Sequence, residues 1–135
     1  MNDRILSAMG VGPLLDELAG SLPGTECVVL LSTDGLPLLV ASGTNPDRAE
    51  HLSAVAAGLH AIADAANRNN GGRRVDQTVV EMDYRMLVVV PLALGALLAV
   101  VFDAVTDLSG TRERITRFAD RLGLRMERAD LVTTP

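Results

Sequence analysis

Lysine is missing from this 135-residue chain, and all 12 basic residues are arginine. That excludes a phosphate-loop lysine, a Schiff-base lysine and a lysine general base. Aromatic residues are almost as scarce, with no Trp, one Tyr and two Phe. A base-stacking surface for single-stranded nucleic acid is therefore not expected. The formal net charge of −5 also argues against general binding to phosphate backbones, so no nucleic-acid partner is expected. The single cysteine, Cys27, excludes a disulfide framework within the chain. It lies in the apolar run Cys27-Val28-Val29-Leu30-Leu31 and reads as a small buried core residue. Met1-Asn2-Asp3-Arg4 is not followed by a signal-peptide pattern. Together these give the expectation of a cytoplasmic protein.

What is present is aliphatic. Apolar residues make up 48% of the chain and charged residues 21%, which suits one folded domain with a Leu/Val/Ile/Ala/Met core. The domain is expected over residues 10–125, with residues 1–9 and 127–135 as flexible termini. Met86 to Phe102 is uncharged, but Pro91 and Gly95 interrupt it. Two short strands around Ala93-Leu94-Gly95 explain it better than a membrane-inserted helix.

The pattern predicts a short helix from Pro13 to Leu22, with Leu14, Leu15 and Leu18 inward and Asp16 and Glu17 near its start. Glu26 to Thr33 is apolar on both alternating faces and reads as a covered, central strand. Asp34-Gly35 is a hairpin turn, and Pro37 makes the return strand, Leu36 to Ser42, an edge strand. Asp47 is the expected cap of a long helix from Arg48 to about Asn69, closed by Asn69-Asn70-Gly71-Gly72. A partly polar strand, Arg73 to Met82, follows. The hairpin Met86–Leu92 and Ala96–Asp103 comes next, and a last helix starts at Ser109 or Thr111. Its apolar stripe is Ile115, Phe118, Ala119 and Leu122, and it is expected to end near Leu122-Gly123. The predicted fold class is α+β: one five-stranded, mostly antiparallel sheet between helical layers.

The long helix is informative because it has two apolar sides. Its larger residues, Leu52, Val55, Ala56, Leu59, Ile62, Ala63 and Ala66, fall on one side, the predicted sheet-facing side. Ala54, Ala57, Gly58, Ala61 and Ala65 fall on the other, with Ser53, His60, Asp64 and Asn67 between. Small residues admit a second backbone closely, which suggests a helix–helix interface. Alanine is also the best helix former on an exposed face, but Gly58 lowers propensity in mid-strip and favours the interface.

Catalytic and metal constellations do not stand out. His51 and His60 project from opposite sides of the helix and cannot share a coordination shell within one chain. Asp34 and Asp83 read as turn residues, not catalytic acids. Gly71-Gly72-Arg73-Arg74 follows a helix C-terminus, the wrong dipole end for a phosphate. The arginines from Arg112 to Arg128 alternate with Glu113, Asp120 and Glu127 and read as a solvated helix face. No catalytic residue, metal or cofactor is expected.

Five stretches together resemble the Roadblock/LC7 family, in particular short bacterial members of conservon operons. They are Leu14–Gly24 (LLDELAGSLPG), Val28–Ser42 (VVLLSTDGLPLLVAS), Asp47–Ala66 (DRAEHLSAVAAGLHAIADAA), Gln77–Leu92 (QTVVEMDYRMLVVVPL) and Gly95–Asp103 (GALLAVVFD). The turn Asp83-Tyr84-Arg85 departs from the family in lacking glycine. The resemblance implies a profilin-like αββαβββα fold with sheet order 2-1-5-4-3. It implies a non-enzymatic homodimer in which third strands pair and middle helices pack side by side. This places Asp76 and Thr78 at the interface together with Ala54, Ala57, Gly58, Ala61 and Ala65. It also implies a Ras-like small GTPase as partner, regulated by activation or simple adaptation. In conservon systems a histidine-kinase-like membrane protein is a further partner, through which the chain would be recruited to the membrane. Arg73 and Arg74 are then the first candidates for GTPase contact. The competing expectation is a small-molecule sensory domain of PAS or GAF type, which needs a pocket between sheet and helices.

Overall fold

The computed structural model describes residues 10–103 and 110–133. Residues 1–9, expected as a flexible terminus, lie outside the described part, as does Ser109. Helix α1 (Val11–Ser21) leads to strands β1 (Thr25–Ser32) and β2 (Pro37–Val40). Helix α2 (Pro46–Asn69) is followed by β3 (Thr78–Glu81), β4 (Arg85–Pro91), a 3₁₀ turn at Ala93–Gly95, β5 (Ala96–Asp103) and α3 (Thr111–Thr133).

The strands form one antiparallel sheet in the order β2-β1-β5-β4-β3. Alternation along each strand sends residues to opposite faces. Val28, Leu30, Val88, Leu98, Val100 and Phe102 meet α1 and α3 in one core. Cys27, Val29, Leu31, Leu87, Val89, Ala99 and Val101 meet α2 in the other. β1 is covered on both sides as expected, although the middle position belongs to β5. At the β1–β2 turn Gly35 takes φ 90, and the Gly35 and Ser32 backbones close the hairpin. Pro37 lies on the β2 edge, beside a register shift at Leu30/Leu31.

Four expectations need correction. Asn45, not Asp47, caps α2: its side-chain oxygen accepts from the Asp47 and Arg48 amides, and Pro46 occupies the first turn, where an amide hydrogen is dispensable. β3 covers only Thr78–Glu81 because of Pro91. The Met82 amide donates to the Arg85 carbonyl, so odd-numbered β4 residues turn their hydrogen-bonding groups toward β3. After Val89 the next such position is Pro91, which has no amide hydrogen, and pairing stops. Asp76 therefore lies outside the strand. α3 does not end near Gly123: Met126 continues the stripe of Ile115, Ala119 and Leu122 into the core, and the helix runs to Thr133. Finally, α2 sits rotated from its predicted orientation, with consequences for its outer surface.

Candidate functional site

α2 buries Ala49, Leu52, Ser53, Ala56 and Ala57 against the sheet. Ser53 tolerates burial because its hydroxyl donates to the Ala49 carbonyl at 2.8 Å. Small residues on this side let the backbones approach. A Cβ on Gly35 would lie 3.5 Å from the Ala54 Cα and 3.7 Å from the Ala57 Cβ. Ala57 is thus buried within the chain, whereas Ala54, whose backbone the same turn approaches, and the other residues of the predicted strip stay exposed.

The solvent side of α2 carries Ala54, Gly58, Ala61 and Ala65, all exposed. Two larger residues join them against expectation: Val55 is 40% exposed and Ile62 71% exposed. At about 100° per residue these six share one continuous outer arc centred on Gly58. Nothing lies within 4 Å of a Cβ placed on Gly58. Sequence reasoning put Val55 and Ile62 inward because it ranked faces by side-chain size. An Ala-rich helix has little directional bias, and only packing against the sheet fixes its rotation.

The flank of α2 next to this arc leans toward the sheet edge, where Leu59 and Val80 pack against the same core. β3 is that edge. Thr78 and Val80 bond toward β4, so Val79 and Glu81 present backbone groups to the open side. Asp76 precedes the strand and is exposed, its carboxylate 3.4 Å from Arg74 Nε. Arg73 and Arg74 are exposed in the same irregular segment. The structure thus gathers Ala54, Gly58, Ala61 and Ala65 on one face with Thr78 beside it, while Ala57 turns to the sheet and Asp76, Arg73 and Arg74 lie on the loop before the strand.

The start of α2 is held by charge. The Glu26 carboxylate on β1 accepts from Arg85 on β4 and from Arg48 on α2. The Arg85 hydrogen bond, with that of Arg48 and both positive charges, outweighs the burial of Glu26 and holds its carboxyl below the ordinary 4.5. Burial pushes the Cys27 thiol above its ordinary value, which suits a core residue and opposes a thiolate nucleophile. A hydrogen bond from Ser32 lowers the exposed Asp34 carboxyl, consistent with its place in the turn. His51 is exposed and His60 half-buried, and among the described residues no group of three metal-ligating side chains occurs. No described helix is long and apolar enough to cross a membrane. The space between sheet and helices, where a sensory domain would hold its ligand, is filled by Val28, Leu30 and Leu98 on one side and Val29, Leu31 and Ala99 on the other.

Residues 13–102 match the model of the Roadblock/LC7 domain. No curated protein matches the chain. Among solved structures, a Roadblock/LC7 domain from Streptomyces avermitilis is 33% identical, with a TM-score of 0.75 over 90% of this chain and 98% of that one. MglB from Myxococcus xanthus is 22% identical, with a TM-score of 0.79 over 88% of this chain and 89% of its own. Profilin II from Acanthamoeba castellanii, 17% identical, shares the fold at a TM-score of 0.57 over 80% of this chain and 92% of that one. The strand order, the double-cored sheet and the match over most of the chain agree, and the chain belongs to the Roadblock/LC7 family.

Proposed function

We propose that this protein is a non-enzymatic, homodimeric regulator or adaptor of a bacterial Ras-like small GTPase in the cytoplasm. The observation that carries the reading is the exposed apolar arc of α2 beside an open sheet edge. An isoleucine 71% exposed in mid-helix, flanked by alanines and a glycine, is costly on a solitary domain. A second copy would bury it. Antiparallel pairing of two β3 strands through the Val79 and Glu81 backbones would bring two α2 helices alongside each other. Ala54, Gly58, Ala61 and Ala65 would line the approach with Val55 and Ile62, and Thr78 would lie at the joined edge. Ala57 stays within the protomer, and Asp76 borders the junction from the loop.

The partner assignment rests on family membership. The GTPase would meet the composite surface of the two helices and adjoining loops, with Arg73 and Arg74 near enough to the edge to contribute. A conservon setting, with a histidine-kinase-like membrane protein as a further partner, belongs to the same reading. The test is binding of the purified protein to a Ras-like small GTPase from the same bacterium, loaded with GDP or a GTP analogue, together with the protein's mass by light scattering. The expected result is a dimer that prefers the GTP-bound form. Indifference to the nucleotide would leave an adaptor, and a monomer that binds neither form would overturn the proposal.

A further inference from the structure

A groove separates α3 from the segment 73–77 on the side of the molecule away from the α2 arc's centre. Its volume is ≈ 860 Å³, within the size range of ligand and peptide sites. Val75, Val90, Leu92 and Leu124 give it an apolar lining. Leu124 is 56% exposed, whereas Ile115, Phe118, Leu122 and Met126 of the same helix pack into or against the core.

Charge decides what this groove suits. Asp120 and Glu127 line the same wall as Leu124. At spacings of four and three residues, the three side chains share one face of α3. Elsewhere on the rim, Arg74 is paired with Asp76 and Arg68 with Asp64, each at 3.4 Å. Among the described residues no ion pair engages Asp120 or Glu127. The result is an exposed leucine between two carboxylates; of the two arginines that line the groove among the described residues, Arg74 is paired and Arg73 is not. A whole-chain charge of −5 adds a field of the same sign.

We propose that this groove docks a basic amphipathic segment of a protein partner. Its apolar side chains would rest on Leu92 and Leu124, and its lysines or arginines would meet Asp120 and Glu127. An amphipathic helix carries apolar and basic side chains on adjoining faces, which a wall of Leu124 flanked by Asp120 and Glu127 complements. The α3 wall is separate from the self-association surface, because Asp120, Leu124 and Glu127 lie off the α2 arc, while the opposite wall, 73–77, adjoins the edge used in the proposed dimer.

The test uses the full chain and a fluorescently labelled synthetic Leu/Lys amphipathic peptide, with its Leu/Glu counterpart as control. Anisotropy should show binding of the Leu/Lys peptide alone, weakening as salt rises. The double variant D120N/E127Q should weaken it roughly ten-fold, as expected for two exposed charge pairs. L124Q should abolish it, and amide shifts should centre on Leu92 and Leu124. All three positions are substituted on an exposed helix face, and circular dichroism checks that each variant folds. Equal binding of both peptides, no response to D120N/E127Q, or shifts centred on Gly58 would each overturn the proposal. Light scattering on the same samples reports dimerisation separately, so failure of one reading leaves the other to its own result.

Discussion

Arg85 Nε donates to both carboxylate oxygens of Glu26, at 3.0 Å each, across 59 residues of sequence. Arg48 NH2 reaches the same carboxylate at 3.1 Å. One side chain on β1 thus ties the start of β4 to the first turn of α2. Because these partners depress the Glu26 pKa, its contribution to stability is complete above the ordinary 4.5 and is lost as pH falls through the lower folded value. Partial exposure of all three side chains keeps the effect at about 1 kcal/mol or less. E26Q should therefore lower the melting temperature modestly at neutral pH and flatten the acid limb of the stability curve. Melting curves collected from pH 7 downward check this. An E26Q curve parallel to that of the parent would show that the network contributes nothing.

The outer arc of α2 separates folding from association. A Cβ on Gly58 meets nothing within the protomer, and Ile62 projects into solvent. G58L or I62E should leave the secondary structure and thermal unfolding of the protomer nearly unchanged. Either should shift a dimer toward monomer by steric bulk or buried charge. Light scattering over a dilution series reads this directly. Persistence of full-strength dimers in both variants would place the interface elsewhere.

The two apolar sides of this helix also show how far sequence reading reached. The central strands were legible as short apolar runs bounded by turn residues such as Asp34-Gly35 and Ala93-Leu94-Gly95, and Pro37 marked its edge correctly. The rotation of α2 was not, because an Ala-rich helix has nearly equal apolar sides. Its inner face is chosen by how closely the Gly35 turn and the sheet approach Ala54 and Ala57. β3 ended early through Pro91, a residue on the neighbouring strand, which no local reading of residues 73–82 reveals. For the candidate site, the small residues were legible as an interface pattern. Val55 and Ile62 were missed for the reason that makes them informative: large apolar residues are presumed inward.

Glycines offer a paired test of backbone effects. Gly35 has φ 90, a conformation that L side chains rarely adopt. Gly123 lies within α3, and a Cβ there meets nothing within 4 Å. G35A should destabilise the protein by about 1–2 kcal/mol. G123A should stabilise it by about 0.5–1 kcal/mol through helix propensity. Urea unfolding of the two variants, compared at equal protein concentration, checks opposite signs. Two shifts in the same direction would refute the assignment of Gly35 as the strained position.

The extension of α3 has an energetic consequence that a loose tail would not have. Met126 is 0% exposed and packs in the core with Ile115 and Leu122. Truncating it removes buried methylenes and leaves a cavity between α3 and the sheet, so M126A should cost about 2–5 kcal/mol. Truncation after Gly123 removes the same contact and the last turns of the helix, and should cost at least as much. E127Q, on an exposed position one residue further along, should change stability by less than about 0.5 kcal/mol. Measured by denaturant unfolding, this contrast between neighbours separates a packed helical turn from a tail. If M126A and E127Q proved equally neutral, the core would have to end at Leu122, and the groove wall formed by Leu124 and Glu127 would lose its support.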